Sequence, residues 1–406
     1  MINKQVKNFL VLFFGSILTQ ILFLAIMPFI SEYYSVESFA YLALFTASAA
    51  SLIPILTGRL GFVLISEQSD RKSNEIFHLA IPYLLFTSSI LILIMWGINF
   101  ISQIEISLVY FFLFVFFSGL FQIIISNTNR NQNYVQLASF KLIKALVIII
   151  GYFSLTSLFD GLVLSHILSL VFIALIYFVF FVKLSWKKVR SFSFNRIFFY
   201  RDFVVNNAIA TSVNNIVTNL PIFFISIVYG SIVLGSYQLY NLILVVPLSM
   251  ISQTISQINM GNLVDLRKSK KKILPYFLRI TSLIIGMGLT IFLSVMFFNH
   301  FLFEVFFDTA KWYLTSDIIF YAVFFNVIEF ISSSLSTTIE SLRRINRSTH
   351  WKIAFTLSSV ILHSIAYLLS LSFINYIILL TIERSFIYSY YYYQIIMSVH
   401  EYDQSI

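Results

Sequence analysis

The feature that most limits what this chain can become is an uninterrupted apolar stretch of bilayer-spanning length, repeated twelve times. The stretches lie at 9–30, 38–65, 77–98, 105–125, 135–153, 161–182, 203–228, 232–260, 274–297, 313–337, 352–372 and 374–397. As an α-helix, about 20 such residues cross the roughly 30 Å hydrocarbon core of a membrane. The runs are continuous rather than alternating and about twice the length of a tilted strand, which excludes a β-barrel. With 59% apolar and 11% charged residues, the composition lies far outside that of a soluble domain. The fold class is therefore an all-α integral membrane protein of twelve helices. The first stretch is too long for a cleaved signal segment and ends through LAIMPFISEYY, with no small-x-small cleavage pattern, so it reads as a retained helix. The chain has no cysteine, so disulfides, thiolate catalysis and cysteine-ligated metals are excluded.

Lysine and arginine set the expected orientation. With the N-terminus in the cytoplasm, segments 1–8, 59–76, 126–144, 183–202, 261–279, 338–352 and 398–406 hold 24 of the 26 basic residues. Lys311 falls on the other side and Arg384 within a span, while the outer connections carry Glu32, Glu37, Glu105, Asp160, Glu304 and Asp308. This asymmetry places both termini in the cytoplasm. The net charge of +9 is thus a topology signal; nucleic-acid binding would need a soluble basic domain, and none is present.

The longest aqueous stretch, KLSWKKVRSFSFNRIFFYRD at 183–202, divides the chain nearly in half. Its mixture of Lys, Arg, Trp and Phe fits either a solvated positive-inside loop or an amphipathic segment lying on an anionic leaflet. The expected organisation is an N-terminal lobe at 1–182, this linker, and a C-terminal lobe at 203–406. A shift of 196 residues lays Ser35 on Ser231 and Tyr41 on Tyr237. Six helices per half make such repeats parallel, giving two six-helix lobes around a central cleft.

Two consecutive spans carry unusual amides. At 100° per residue, Asn207, Thr211, Asn214 and Thr218 fall on one helical face with Asn215 beside them. In the next span Gln238, Asn241, Ser249, Ser252, Gln253 and Ser256 fall within about 120°. Amide-rich faces in apolar helices serve either as walls of a wet cavity or as interhelical hydrogen bonds.

Charges within the spans carry the same pair of readings. Arg59, in IPILTGRLGFVLI, shares a helical face with Ser48 and Tyr41; its bidentate guanidinium suits a pyrophosphate, and its closeness to the helix end also permits snorkelling. Lys141 and Lys144 stand one turn apart on the fifth span, where they could attract an anion; Lys144 lies about ten residues inside. Glu329, Glu383 and Arg384 lie near mid-span, where a charge costs about 2.5–3.5 kcal/mol and calls for a partner or water. Glu383 and Arg384 are adjacent and point about 100° apart, so the structural reading pairs Arg384 with Glu329, and the functional one makes the acids ion-coupling groups. His363 is a further candidate, with hydrogen-bonded packing as the plainer role.

No enzyme signature occurs. There is no HExxH, no DxD, no GxxxxGK[ST], and no outer connection longer than about 15 residues that could carry a catalytic constellation. No metal or cofactor site is expected.

Three segments carry a resemblance: TGRLGFVLISEQSD; YGSIVLGSYQLYNLILVVPLSMISQTISQI; and FEVFFDTAKWYLTSDIIFYAVFFNVIEFISSSLS followed by RRINR. On these the chain resembles the Wzx-type flippases of O-antigen and capsule repeat units, within the superfamily that includes MATE exporters and lipid II flippases. Arg59 matches that family's pattern, whereas Leu60 and Gly61 replace its aromatic and acidic residues, and Asp308 and Thr309 stand where a glycine is usual before Trp312. The resemblance implies an inner-membrane protein that turns an undecaprenyl-pyrophosphate-linked oligosaccharide toward the periplasm by alternating access. It also implies a polymerase and chain-length regulator as pathway partners, beside membrane lipid. Arg59, Lys141 and Lys144 would hold the pyrophosphate; Asn207, Asn214, Asn215, Gln238, Asn241 and Gln253 would line the sugar path. The rival readings are a MATE-like cation-coupled exporter of small molecules and a polytopic polysaccharide polymerase.

Overall fold

The structure, a computed structural model, describes residues 4–67, 69–102, 107–131, 133–181, 197, 200–298, 301, 311–313, 316–342 and 344–405. The described residues form α-helices with short π-helical turns and no strands. Most of the expected linker 183–202 and of the outer loop 300–312 lies outside the described residues.

Among the described residues, ten helical segments are long and apolar enough to cross a membrane: Val36–Thr57, Asp70–Gly97, Leu108–Arg130, Tyr134–Ser154, Gly161–Phe181, Val204–Val228, Gly230–Ser256, Leu274–Phe297, Asp317–Ile339 and Arg347–Leu368. Ile17–Tyr33 is a shorter apolar helix of the same kind. Large apolar side chains face outward, as Phe297 (83% exposed) and Ile227 (81%) do, which suits a surface solvated by lipid. The chain is a multi-pass membrane protein.

The chain divides into two compact units, 1–223 and 224–406. In the first, α1 (Lys4–Tyr33) packs along α6 (Tyr134–Ser154), which packs on α7 (Gly161–Ile176). Helix α5 (Leu108–Arg130) is the shared neighbour of α2 (Val36–Thr57), α3 (Leu60–Ser66), α4 (Asp70–Ser102) and α7. Small residues permit these approaches: a Cβ at Gly151 would sit 2.6 Å from Ser165 Oγ, so α6 and α7 meet only because residue 151 has no side chain. Ser35 caps α2, accepting from Ser38 N at 3.3 Å, and Asn133 caps α6, accepting from Gln136 N at 3.2 Å. Helix α8 (Ala208–Val228) follows a π-helical turn at Asp202–Asn207 and runs across the division between the units.

The second expected span, 38–65, is not one helix. It breaks at Gly58 and Arg59, whose φ angles are +56° and +53°. Gly58 adopts that left-handed conformation without a Cβ penalty, and a Cβ there would lie 2.9 Å from the Tyr83 ring. The break interrupts the 100° periodicity, so the expected alignment of Arg59 with Ser48 and Tyr41 does not carry through it.

In the second unit, α9 (Gly230–Tyr240) passes through a π turn at Asn241–Val245 into α10 (Val246–Lys268). It is followed by α11 (Leu274–Phe297), α12 (Ser316–Ser334), α13 (Thr337–Ser341), α14 (Ile345–Leu368) and α15 (Phe373–Gln404). Helix α12 is central, packing on α10, α11 and α15. The apolar core joins Leu248, Phe277, Phe330, Leu335, Tyr391 and Ile395. The end of α15 fastens neighbouring segments: Asp403 accepts from Ile273 N at 2.8 Å and Leu274 N at 2.9 Å, and Glu401 pairs with Arg347 and, at 3.5 Å, Arg344.

Candidate functional site

A pocket of about 400 Å³ opens within the second unit between α10 and α12. Ser249, Ser252, Gln253 and Ser256 reach it from α10, recurring at the three- and four-residue intervals of one helical face. Asn326, Glu329 and Ser333 reach it from α12, Ser336 from the break before α13, and Thr337 from the first position of α13. The lining is mainly hydroxyl and amide, with Glu329 as its one charged member among the described residues.

Its polar groups are held in place by hydrogen bonds to neighbouring side chains and carbonyls. Ser256 Oγ lies 3.1 Å from Thr337 Oγ1 and 3.3 Å from Ser336 Oγ, and Thr337 Oγ1 donates to Ser256 O at 2.8 Å. One turn on, Asn259 Nδ2 donates to Thr338 Oγ1 at 3.0 Å. These bonds attach the α12–α13 break to α10. Asn326 Nδ2 donates to Tyr240 Oη at 2.7 Å and to Ala322 O at 2.7 Å. Bonds to fixed partners reduce the rotamer freedom of the wall, which preorganises it for a hydrogen-bonding ligand.

Behind Glu329 lies a buried charge network. The Tyr388 side chain hydrogen-bonds Glu329, whose carboxylate also lies within electrostatic reach of Arg384. The direct ion pair is Arg384 with its sequence neighbour Glu383, Nε to Oε2 at 3.4 Å, with both side chains nearly buried. Sequence spacing argued against that pairing. The arginine stem is long enough to swing across the 100° between adjacent positions and brings its guanidinium over the Phe355 ring at 4.5 Å. Glu383 also accepts from Ser358 Oγ at 2.5 Å and Ser359 Oγ at 3.4 Å. His363 has the packing role: Nδ1 faces the Ser359 carbonyl at 2.6 Å and so carries the proton, leaving Nε2 to accept from Tyr376 Oη at 3.1 Å.

The other amides divide differently. Gln253 joins the pocket, whereas Gln238 is buried on α9 and Asn241 begins the π turn. Pro247 supplies the reason. It has no N–H and its ring crowds the carbonyl four residues back, and the chain relieves this by widening one turn, with Val246 N donating to Asn241 O. The wide turn shifts the register, so residues before and after it do not share the single face that 100° spacing assigns.

On α8, Asn215 Nδ2 donates to Ala50 O on α2 at 2.6 Å, the interhelical role. Asn207 accepts from Thr211 Oγ1 through its carbonyl at 2.8 Å and its side-chain Oδ1 at 3.3 Å. The Asn214 carbonyl accepts from Thr218 Oγ1 at 2.9 Å.

In the first unit, Arg59 lines a smaller pocket of about 170 Å³ with Thr57, Gly61, Phe62, Gln122 and Ser126, its guanidinium 5.4 Å from the Phe62 ring centre. Lys141 and Lys144 are half-buried on α6, with Lys144 Nζ 4.8 Å from the Phe121 ring centre. Phe121 and Gln122 are neighbours on α5 and point in different directions, so Lys144 and the Arg59 pocket meet different faces of that helix. Among the described residues no three His, Asp or Glu side chains group as a metal site.

Asn326, Ser333, Ser336, Thr337 and Tyr388 escaped residue-by-residue reading. The hydroxyl-dense SSSLSTT at 332–338 is the signal that could have located three of them.

The fold is that of MOP-superfamily membrane transporters. An outward-facing multidrug-resistance MATE transporter of that superfamily superposes with a TM-score of 0.62 at 12% identity, covering 98% of this chain and 97% of that one. An inward-facing multidrug-resistance MATE transporter of that superfamily gives 0.59 at 13% identity, covering 94% and 95%. A MOP-superfamily transporter from Pyrococcus furiosus, described as having a binding pocket of reversed polarity, gives 0.61 at 13%, covering 98% and 96%. No curated protein sequence matches the chain. The chain belongs to a family of polysaccharide biosynthesis proteins, which matches residues 56–317.

Proposed function

We propose that the protein is a non-enzymatic flippase that carries undecaprenyl-pyrophosphate-linked oligosaccharide repeat units of an O-antigen or capsule from the cytoplasmic to the periplasmic leaflet of a bacterial inner membrane. The observation that carries this reading is the chemistry of the second-unit pocket. Hydroxyls and amides that both donate and accept match the hydroxyl array of a sugar, and eight of its lining residues are Ser, Thr, Asn or Gln. Membership of a polysaccharide biosynthesis family supplies the saccharide context. In this reading twelve helices form two six-helix lobes that alternate access, both termini lie in the cytoplasm, and Arg59, Lys141 and Lys144 attract the pyrophosphate. A repeat-unit polymerase and a chain-length regulator would act on the delivered product.

Glu329 in the same pocket favours a second reading, a cation-coupled exporter of small molecules, since a carboxylate amid hydroxyls suits a cation. Deleting the gene in its host separates the two. Loss of surface polysaccharide, with lipid-linked repeat units accumulating on the cytoplasmic face, supports the flippase. Unchanged polysaccharide with raised sensitivity to cationic compounds supports the exporter.

A further inference from the structure

The hydroxyl protons of the second-unit pocket are spent inside the protein. Ser249 Oγ donates to Val246 O at 2.8 Å and Ser252 Oγ to Ser249 O at 3.0 Å, each back along its own helix. Ser333 Oγ donates in the same way to Phe330 O at 3.3 Å on α12. Ser256 Oγ donates to Thr337 Oγ1 at 3.1 Å, and the Thr337 proton goes in turn to Ser256 O at 2.8 Å. With the Ser256 proton so placed, the 3.3 Å contact with Ser336 Oγ is filled by the Ser336 proton. A hydroxyl carries one proton and two lone pairs, so these groups have only lone pairs left for a ligand.

Asn326 follows the same rule. A backbone carbonyl cannot donate, so the side-chain atom 2.7 Å from Ala322 O is Nδ2, which also donates to Tyr240 Oη at 2.7 Å. Both amide protons are then committed, and Oδ1, which only accepts, is what remains. Between Asn326 and Ser333 on the same face of α12 stands Glu329, whose carboxylate is likewise acceptor-only. No Lys, Arg or His lines the cavity among the described residues; Arg384 lies outside the lining, paired with Glu383 and set over the Phe355 ring. Among the lining side chains the exposed Gln253 keeps an amide donor. The volume of about 400 Å³ is near the low end of the ~300–1,000 Å³ of small-molecule sites, which suits a sugar-sized group better than a whole repeat unit.

We propose that this pocket is a saccharide subsite that admits neutral or amino sugars and rejects acidic ones, with Glu329 as its specificity-determining residue; the assignment rests on the flippase reading for the saccharide. A neutral ring brings hydroxyl protons to a wall of lone pairs, and an amino sugar adds an ammonium opposite Glu329. A uronic acid brings a second carboxylate, which meets like charge and few donors, so rejection is built from what the wall lacks as much as from what it holds. Counting serines and asparagines in the sequence cannot reveal this. Residue type fixes how many protons a group has, and packing fixes where they go.

The test uses the full chain in nanodiscs and three probes, methyl glucoside, methyl glucosaminide and methyl glucuronide, the last two differing from the first in one group each. Binding is read by saturation-transfer NMR, with sodium ion as a separate arm. The parent should bind the glucoside and the glucosaminide, and the glucuronide about tenfold or more weakly. Glu329→Gln should bring the three to within a few-fold of one another, while Glu329→Asp keeps the parent order. Gln253→Lys, at an exposed position, should strengthen glucuronide binding about tenfold. Equal binding of the three probes by the parent would overturn the subsite, as would the parent order persisting in both Glu329→Gln and Gln253→Lys. Sodium binding without glycoside binding would overturn it in favour of a bare cation site. Surface polysaccharide lost on gene deletion together with equal binding of the three probes sinks the subsite alone; rejection of the glucuronide with normal polysaccharide after deletion sinks the flippase reading alone.

Discussion

Asn215 donates its side-chain amide to the carbonyl of Ala50, the carbonyl four residues before Pro54 and hence the one that proline leaves without a helical donor. In a bilayer no water replaces the missing bond, so an amide from α8 satisfies α2. Asn215→Leu should therefore destabilise the protein by about 1–2 kcal/mol. Adding Pro54→Ala, which restores the intrahelical donor, should recover most of that loss. Thermal unfolding of both single variants and the double variant measures the coupling, and additive effects would refute the link.

The buried pair of Arg384 and Glu383 makes an asymmetric prediction. Arg384→Leu strands a nearly buried carboxylate and should cost about 3–5 kcal/mol, whereas Arg384→Leu combined with Glu383→Gln should cost far less. Denaturant unfolding in mild detergent distinguishes the two, and equal losses would mean that the pair is well hydrated.

At the α2–α3 break, Gly58→Ala combines an unfavourable left-handed conformation with a close contact to Tyr83 and should cost about 1–2 kcal/mol or more. A Tyr83→Leu background removes the crowding and leaves only the conformational part. Comparing melting temperatures in the two backgrounds separates strain from contact.

Arg347, by hydrogen bond and charge, with Arg344 beside it, holds the Glu401 carboxyl below its ordinary range near about 4.3. Because the folded value is the lower one, this stabilisation is fully present above the unfolded pKa and is lost as pH falls through the folded pKa. Glu401→Gln should lower stability at neutral pH and flatten the acid side of the stability profile. Unfolding measured from pH 7 down to about pH 3 checks the slope, and parallel profiles for variant and parent would contradict it.

For the pocket, Gln253→Leu should reduce polysaccharide export while leaving membrane abundance unchanged, since the side chain lines the cavity and lies exposed on α10. Glu329→Gln tests coupling: transport in vesicles should lose its response to a collapsed pH gradient or potential. A Glu329→Gln protein whose transport still follows either gradient would remove this residue as the coupling group.

Pattern alone located the helices because a bilayer demands the same thing of every span, an apolar run with internally satisfied backbone. Among the described residues, ten of the twelve expected stretches correspond to helices long and apolar enough to cross a membrane, while the first is described as the shorter apolar helix Ile17–Tyr33 and the last, within Phe373–Gln404, is not one of the ten. The breaks within stretches have local causes: the left-handed pair at Gly58 and Arg59 cuts one span, and Pro247 imposes a wide turn on another. The polar pattern was legible as chemistry but not as place. Gln253 lines a pocket, Asn215 repairs a proline defect, and Gln238 is buried; identical amide chemistry acquires its role from the helix it faces.

The sequence by itself determined that this is a multi-pass helical membrane protein without enzymatic motifs, because hydropathy and charge asymmetry act locally and additively along the chain. Tertiary structure alone decided which polar groups share a cavity, which arginine neutralises which acid, and which ring nitrogen of His363 carries the proton. Those outcomes depend on the rotation and register of neighbouring helices, and one glycine or one proline shifts both by more than the width of a helical face.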